Sequence, residues 1–461
     1  MKNNYLKAAY DNAPQFIRNF VSYVPFPLRM GRSYRETVAF LKKSQYWPND
    51  AIKNYQLTQL KAVVDNAFKT VPYYKKKYKK LGLTGSSITS LSDFQRFPLL
   101  SRDDVLLNYN ALKSSSYNNL NTYEGMTGGT TGASVKILFS MKSPFIEWGY
   151  IHALWSRIGF LPKHKRVALI GTPFLGNNRM THCFNPFHNE LQLSAIDLDE
   201  SSIILYAKAI SAFQPSFFYG LPSAWMVLGA FLLENNLIPK GIKGVLCGSE
   251  QITEDQRNFL ESTFKCPVYS WYGQTEKVTL AGECECSQDY HIFFEYGYTE
   301  LIDEQGDVIN SPGKTGEIIA TGFINSAMPL IRYRTGDMAQ YADGNCPCRR
   351  SYRRFTGLIG RRLAEYIIGR ELEKIPLAAI DTQLPEFNKI KLCQFVQTLP
   401  GQIRLNILAN SEITANDINN IQESLMMQLA GRVTVEVSIV KDLVRTERGK
   451  VKNFIQNIGE V

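Results

Sequence analysis

The chain has 461 residues, of which 44% are apolar and 20% charged, and its formal net charge is +10. This length predicts more than one domain, and the composition is typical of a folded globular protein, which excludes intrinsic disorder. The positive charge suits nucleic acid, an acidic membrane surface or an anionic small molecule, but no zinc-finger, RNA-recognition or basic-zipper signature is present, which disfavours nucleic acid.

The first 120 residues are predicted to be mainly helical. Residues 60–68 place apolar side chains at helical spacing, and Pro72 suits the first turn of a following helix. Ser101 is a candidate N-cap for a further helix. The lysine-rich residues 75–80 are expected to form a solvated helix face rather than a binding patch.

Two sequence features bear on localisation. No stretch approaches the ~20 apolar residues of a membrane-spanning helix, and the N-terminus lacks a secretory signal pattern, so a cytoplasmic enzyme is expected. Residues 16–30 are nevertheless both basic and apolar. This segment either packs on the main body or contacts a membrane surface peripherally.

A glycine- and threonine-rich segment follows the helical region. Residues 127–136 read TGGTTGASVK. Glycine allows close backbone approach, and threonine adds hydroxyl donors, so the segment predicts a loop that binds phosphate groups. The segment matches neither the P-loop pattern GxxxxGK[ST] nor the dinucleotide-binding pattern GxGxxG. The alternative is that it forms an ordinary surface loop. The candidate phosphate-binding residues are Thr127, Gly128, Gly129, Thr130, Thr131 and Gly132.

Strand and helix patterns alternate after this loop. Predicted strands cover residues 166–171, 216–220, 244–248 and 267–271, with predicted helices at residues 201–213, 222–235 and 253–264. Alternation of this kind predicts an α/β fold with a mainly parallel sheet, whose ligands bind at the carboxyl ends of the strands. The turns at these ends contain Gly248, Ser249, Glu250, Tyr272 and Gly273.

Residues beyond Glu276 are predicted to form a β-rich subdomain that contains two CxC pairs. Cys284, Cys286, Cys346 and Cys348, together with His291, offer thiolate and imidazole ligands suited to tetrahedral zinc. The predicted set is His291, Cys346, Cys348 and one of Cys284 or Cys286, with Cys284 preferred, and free thiols are the alternative. A small α+β domain is predicted to begin near residue 360, dividing the chain into residues 1–359 and 360–461.

Five motifs occur along the chain in a fixed order. They are the TGGTTG loop with Lys136, WYGQTE at residues 271–276, YRTGD at residues 333–337, GR at residues 360–361 and RGK at residues 448–450. This ordered set resembles the adenylate-forming superfamily. Within it, the sequence before YRTGD and the following CPC most resemble the phenylacetate-CoA ligase branch and its CapK-type relatives from polysaccharide gene clusters. The resemblance implies a large N-terminal domain and a small mobile C-terminal domain.

The resemblance also implies roles for individual residues. The glycine- and threonine-rich loop would hold the β- and γ-phosphates of ATP, and Glu276 would help to hold Mg²⁺. Tyr272 would flank the adenine, Thr275 would contact the α-phosphate, and Asp337 would bind the ribose hydroxyls. The remaining implied contacts of the nucleotide come from Gly248, Ser249, Glu250, Gly273 and Arg361.

Lys450 is implied to be the lysine that bridges the substrate carboxylate and the α-phosphate. The resemblance thus predicts a ligase that uses ATP to convert a carboxylic acid into an acyl-adenylate. The acceptor of the acyl group stays open between coenzyme A, a carrier thiol and an amine, with surface-polysaccharide assembly as one setting. The alternative from another class is a noncatalytic nucleotide-binding scaffold.

Overall fold

The computed structural model combines N-terminal helices, a large mixed sheet and a smaller C-terminal sheet. The structure describes residues 19–126, 135–171, 174–175, 178–195, 197–198, 200–359, 366–377, 380, 387, 389–409, 413–441, 443–444 and 454–458.

The N-terminal part of the described chain is helical, as predicted. Leu60, Val64 and Ala67 form a buried stripe, and Ser101 caps its helix through a reciprocal pair of hydrogen bonds with Asp104. Short 3₁₀ turns cover Phe20–Tyr23, Gly85–Ser87 and Asp93–Arg96. The α-helices are α1 (Phe26–Arg29), α2 (Gly31–Ser44), α3 (Asn49–Thr70), α4 (Pro72–Leu81) and α5 (Arg102–Leu107).

The basic, apolar segment near the N-terminus is partly buried and partly exposed. Phe26 and Met30 are buried with Tyr34 against the body of the protein. Phe20 and Tyr23 are 68% and 83% exposed. The part of the segment before residue 19 lies outside the described residues. Among the described helices, none has the length and apolar character needed to cross a bilayer.

The large sheet of the described chain has thirteen strands and runs through the whole main body. Its helices are α6 (Ser143–Ser156), α7 (Glu200–Phe213), α8 (Pro222–Glu234) and α9 (Glu254–Phe264). The strands up to residue 359 are β1 (Thr122–Met126), β2 (Lys136–Ser140), β3 (Arg166–Ile170), β4 (Phe174–Leu175), β5 (Asn178–Arg179), β6 (His182–Asn185), β7 (Glu190–Ser194), β8 (Phe217–Gly220), β9 (Gly244–Cys247), β10 (Val268–Gly273), β11 (Leu280–Cys284), β12 (Ser287–Ile292), β13 (Gly297–Ile302), β14 (Val308–Ile309), β15 (Gly316–Gly322), β16 (Tyr333–Tyr341) and β17 (Arg354–Ile359).

The order of strands in the large sheet is β14-β13-β15-β16-β17-β12-β11-β10-β9-β8-β3-β7-β6. The segment from β10 to β7 is parallel, and the segment from β10 to β14 is antiparallel. The predicted α/β fold with a parallel sheet and a β-rich part is therefore confirmed. β10 belongs to both segments, because it pairs with β9 in parallel and with β11 in antiparallel fashion.

Residues after 365 form a two-stranded sheet and a four-stranded sheet. The two-stranded sheet consists of β18 (Tyr366–Ile368) and β19 (Lys374–Pro376). The four-stranded sheet consists of β20 (Ile390–Leu399), β21 (Gln402–Ala409), β22 (Thr434–Ile439) and β23 (Phe454–Gln456), and α10 (Ala415–Gln428) lies between β21 and β22 in the chain. Buried side chains of this region, such as Leu405 and Ile421, join one apolar cluster with Trp225 of α8 in the main body. The domain boundary predicted at residue 360 lies outside the described residues and stays a prediction.

Candidate active site and metal centre

The turn after β9 forms one side of the candidate active site. β9 and β10 are parallel neighbours, so their carboxyl ends lie at the same sheet edge. A Cβ atom on Gly248 would lie 2.3 Å from the Trp271 ring, so a side chain there would displace the indole. Ser249, with a φ of 67°, is exposed beside the buried Glu250. The chain therefore turns sharply at the edge where α/β sheets bind ligands.

A hydrogen bond joins the WYGQTE segment to the YRTGD segment. The Tyr272 hydroxyl donates to Oδ2 of Asp337 over 2.8 Å, across 65 positions of sequence. Both side chains are buried, and the backbone N–H of Asp337 donates to the Thr335 hydroxyl over 3.1 Å. Thr335 in turn donates to the Ile318 carbonyl oxygen. The Asp337 carboxylate is thereby held at a fixed position beside Tyr272.

A second hydrogen bond between the same segments orients Glu276. The Tyr333 hydroxyl donates to Oε1 of Glu276 over 2.9 Å, and both side chains are buried. Gly273 and Thr275, on the same turn, are exposed. The turn after β10 thus presents a buried, oriented carboxylate next to exposed backbone and hydroxyl groups.

An ion pair that sequence reasoning missed fixes the residue after Glu276. Lys277, at a φ of 55°, pairs through Nζ with Oε2 of Glu147 on α6. The Tyr296 hydroxyl donates to the other oxygen of Glu147 over 3.1 Å. Nothing in the sequence pairs Glu147 with Lys277, because the two residues meet only after α6 packs beside β11.

The hairpin of β1 and β2, whose strands flank the glycine- and threonine-rich segment in sequence, lies at this site. Met126 pairs with Lys136 across the hairpin. Lys277 Nζ lies 5.4 Å from the ring centroid of Phe139 on β2. The hairpin that carries the predicted phosphate loop therefore lies beside the Glu276 turn.

Some predicted site residues lie outside the described residues. They are Arg361, Lys450 and the loop residues Thr127, Gly128, Gly129, Thr130, Thr131 and Gly132. The structure brings together Gly248, Ser249, Glu250, Tyr272, Gly273, Thr275, Glu276 and Asp337 around the ends of β9 and β10. The roles predicted for both groups stay predictions.

A second cluster contains three cysteines and one histidine. The ligand atoms of Cys284, His291, Cys346 and Cys348 all lie within 4.8 Å of one another. Cys284 Sγ is 3.6 Å from Cys346 Sγ, and Cys348 Sγ is 3.3 Å from His291 Nε2. Cys286 is exposed and lies outside the cluster. The four clustered residues are those predicted as zinc ligands from the sequence.

The surroundings of His291 suit metal binding. Its Nδ1 lies 3.2 Å from the Asp289 carbonyl oxygen, which accepts the Nδ1 proton and leaves Nε2 facing Cys348. Burial, with Arg157 nearby, lowers the pKa of His291 to about 3, so the imidazole is neutral at pH 7. A neutral imidazole with an oriented Nε2 is the form that binds a metal ion.

The thiols of the cluster differ in acidity. Burial raises the pKa of Cys284 to about 12. Burial also acts to raise the pKa of Cys348, but hydrogen bonds with Arg350 and Cys346, together with the Arg350 charge, outweigh it and bring that pKa below the ordinary thiol value. A divalent cation would supply the positive charge that Cys284 needs to ionise. Three sulfur ligands and one nitrogen ligand match a closed tetrahedral zinc site.

Comparison with known proteins gives one matching family model. A family model described as AMP-binding enzyme matches residues 126–327, a span that holds the glycine- and threonine-rich loop and the Glu276 turn. The YRTGD segment, which hydrogen-bonds to that turn through Tyr272 and Tyr333, begins at residue 333, after the end of the span. The match supports the resemblance to the adenylate-forming superfamily over residues 126–327.

Similar sequences cover most of this chain. Protein CapK of Staphylococcus aureus is 23% identical over 398 residues, which are 85% of this chain and 86% of CapK. Phenylacetate-coenzyme A ligase of Pseudomonas putida is 23% identical over 320 residues, 67% of this chain and 71% of that ligase. These matches agree with the phenylacetate-CoA ligase branch and with an enzyme of the AMP-forming ligase class.

A solved structure shares the fold of this protein. The 2-hydroxyisobutyryl-CoA ligase, solved in complex with 2-HIB-AMP and CoA, superposes with a TM-score of 0.62 at 18% identity. The match covers 90% of this chain and 92% of that ligase. The likeness therefore extends over both the large sheet and the C-terminal sheet.

Proposed function

We propose that the protein uses ATP to activate a carboxylic acid as an acyl-adenylate and then transfers the acyl group to the thiol of coenzyme A. The observation that carries this proposal is the convergence of two acidic residues at one sheet edge. Glu276 and Asp337 are each oriented by a tyrosine hydroxyl from the other's segment. The hairpin that carries the glycine- and threonine-rich loop lies beside them.

The first step joins the substrate carboxylate to the α-phosphorus of ATP. A carboxylate oxygen forms the new P–O bond while the bond to the β-phosphate oxygen breaks and pyrophosphate leaves. Negative charge develops on the α-phosphate oxygens, so preorganised donors and cations at this point lower the barrier. Lys450 supplies the cation in the proposal, and Thr275 supplies a hydroxyl.

The buried carboxylates bind the nucleotide and its counterion. Asp337 accepts hydrogen bonds from the ribose hydroxyls beside Tyr272. Glu276 is the oxygen ligand for Mg²⁺, which when bound neutralises the phosphates of ATP. Tyr333 restricts the Glu276 side chain to one orientation by its hydrogen bond. Gly248, Ser249, Glu250 and Arg361 complete the nucleotide pocket in this proposal.

The second step moves the acyl group to a thiol. The sulfur of coenzyme A attacks the carbonyl carbon, the bond to the phosphate oxygen breaks, and AMP leaves. Support for coenzyme A comes from the similar phenylacetate-coenzyme A ligases. The CapK likeness supports surface-polysaccharide synthesis as a setting, in which a carrier thiol or an amine takes the place of coenzyme A.

A pyrophosphate exchange assay over a panel of aromatic and aliphatic carboxylic acids tests the first step. At least one acid is expected to promote exchange that requires both ATP and Mg²⁺. Adding coenzyme A to that acid is then expected to consume free thiol and release AMP. Exchange without thiol consumption would indicate that an amine or a carrier thiol, and not coenzyme A, accepts the acyl group. ATP binding without exchange for any acid would favour a noncatalytic scaffold.

Conservative changes at the two carboxylates are expected to have different kinetic effects. Glu276→Gln should raise the Mg²⁺ concentration for half-maximal exchange, and Asp337→Asn should raise KM for ATP, each by roughly tenfold for a lost charged contact. Glu234→Gln and Asp307→Asn, both at exposed positions, are the matched controls. Identical Mg²⁺ and ATP dependence in both site variants and wild type would contradict the assignment.

Loss of the Tyr333 hydroxyl is expected to affect the metal dependence of the reaction. Tyr333→Phe keeps the buried ring but removes the donor to Glu276, so the half-maximal Mg²⁺ concentration should rise by about threefold to tenfold. The control is Tyr341→Phe, a buried ring of the same strand that stacks on Phe355. A purely structural role for Tyr333 would lower thermal stability and leave the Mg²⁺ dependence unchanged.

A further inference from the structure

A patch of exposed apolar side chains lies near the start of the described chain. Phe20 and Tyr23 are 68% and 83% exposed, and Val24 and Leu28 are exposed as well. The rings of Phe20 and Tyr23 are neighbours, with 6.3 Å between their centroids. These four residues form the apolar patch. Single exposed apolar residues are normal on a protein surface, whereas a concentrated group is typical of an interaction surface.

The segment that carries the apolar patch is anchored to the main body. Phe26 and Met30 are buried in one apolar cluster with side chains of α2 and α6. Arg29 donates from Nη1 to the carbonyl oxygens of Pro186 and Phe187 over 2.7 and 2.8 Å. The exposed apolar side chains are therefore those that the main body does not cover, and they are held at a fixed place on the surface.

Basic side chains share one exposed face of the helix that follows. At 100° per residue, Arg35 and Lys42 of α2 lie within about 20° of each other, and Arg32 and Lys43 lie about 60° to 80° to one side. All four are exposed, whereas Leu41 is buried on the opposite side of α2. These four residues form the basic face of α2.

Acidic residues do not compensate this positive charge. Between residues 19 and 49 the sequence contains one acidic residue, Glu36, which pairs with Arg32 over 2.6 Å. Arg35, Lys42 and Lys43 are left in excess. The basic face adjoins the apolar patch, because Leu28 precedes Arg32 by four positions, and four steps of the chain span at most about 15 Å. The surface thus combines exposed aromatic side chains with neighbouring positive charge.

This combination of groups indicates which partner fits. Aromatic and leucine side chains insert at the boundary between lipid headgroups and acyl chains, and nearby lysine and arginine are attracted to anionic headgroups. Tyrosine is enriched at that boundary because its ring is apolar and its hydroxyl is polar. A second copy of the chain that docked through the same surface would bring two basic faces together, and their repulsion opposes such a dimer.

We propose that the apolar patch and the basic face of α2 together dock on the surface of a bilayer that contains anionic phospholipid. Phe20, Tyr23 and Leu28 enter the headgroup region, while Arg35 and Lys42 lie against the lipid phosphates. The attachment is peripheral and depends on salt, because dissolved ions screen the attraction between charges. The inference does not depend on the proposed ligase activity.

Sedimentation of the full chain with sucrose-loaded vesicles tests this surface. Vesicles of phosphatidylglycerol and phosphatidylcholine in equal parts should bind the protein at least about tenfold more tightly than vesicles of phosphatidylcholine alone. The aromatic variant, Phe20→Ser/Tyr23→Ser, should bind the anionic vesicles about tenfold more weakly or worse, because two apolar rings are removed from the interface. The matched control is Leu107→Ser/Leu120→Ser, at two exposed apolar positions outside the patch.

A second variant tests the charges separately. The charge variant, Arg35→Gln/Lys42→Gln, should bind the anionic vesicles about tenfold more weakly and should lose most of its dependence on salt. Its control is Lys75→Gln/Lys76→Gln, two exposed lysines of α4. Circular dichroism checks that each variant is folded, and the charge variant carries the test if the aromatic variant is not.

Three results would overturn the proposal. The first is equal affinity for the two kinds of vesicle, or no binding to either at low salt. The second is an unchanged affinity for anionic vesicles in a folded aromatic or charge variant. The third is a dimer in solution that the aromatic variant converts to a monomer, as measured by analytical ultracentrifugation, because the surface would then be an interface between two copies of this chain.

Discussion

Replacement of Lys450 by alanine is expected to lower the rate of adenylate formation by on the order of 10²-fold or more, because a cation is lost where negative charge develops. Pyrophosphate release with the best acid of the panel measures this rate. Binding of ATP should change much less, since the lysine acts on the transition state more than on the ground state. The fold should be unaffected, as checked by a thermal melt.

The two half-reactions separate the role of Lys450 from a general defect. The Lys450→Ala protein should still form thioester when it is supplied with a chemically prepared acyl-adenylate and coenzyme A. That step does not include the attack of a carboxylate on the α-phosphorus, so it does not need the lysine cation there. Lys441→Ala, at an exposed position, is the control. Adenylation by the Lys450→Ala protein at near wild-type rate would remove Lys450 from the mechanism.

The second large effect is expected at the cysteine and histidine cluster. The purified protein should contain about one zinc ion per chain, and Cys346→Ser/Cys348→Ser should contain almost none, because half of a closed four-ligand set is lost. When the free zinc concentration is about 1,000 times the Kd, zinc binding stabilises the folded protein by roughly 4 kcal/mol. Loss of the site removes that stabilisation. The melting temperature should therefore fall clearly, and elemental analysis of tag-free protein gives the zinc content.

A neighbouring cysteine provides the control for this experiment. Cys286 lies in the same hairpin turn as Cys284, but it is exposed and outside the cluster. Cys286→Ser should keep both the zinc and the melting temperature of the wild type. Wild-type protein with far less than one zinc, or full zinc in the double variant, would contradict a metal centre. Weaker ATP binding is expected with zinc loss, because the cluster ties the β11–β12 hairpin to the loop that follows β16.

The elements of the α/β core follow closely from local sequence. The strand predicted at residues 244–248 is observed as Gly244–Cys247, and the helix predicted at residues 253–264 is Glu254–Phe264 with Thr253 as its N-cap. Apolar β-branched and aromatic runs form buried strands, and capping residues fix the ends of helices. Both patterns depend only on residues that are close in sequence, so they predict strands and helix ends without the tertiary structure.

The pairing of strands and the packing of elements were harder to predict from the sequence. Alternating strands and helices predicted a parallel sheet, but no local pattern showed that β10 continues into an antiparallel sheet through β11. The sequence also left residues 16–30 open between packing and membrane contact, and the structure buries Phe26 while it exposes Tyr23. Burial depends on which surfaces the fold brings nearby, and a sequence does not contain those distances.

The sequence by itself determined which groups are available for chemistry: glycines that allow close approach, carboxylates suited to cations and thiols suited to zinc. It therefore indicated the resemblance to the adenylate-forming superfamily and, with Cys284 preferred over Cys286, the four residues that the structure brings into one cluster. Only the tertiary structure decided the contacts between distant segments: Tyr333 bonded to Glu276, and Lys277 paired with Glu147. Such contacts join residues whose separation along the chain is long, so packing alone sets them.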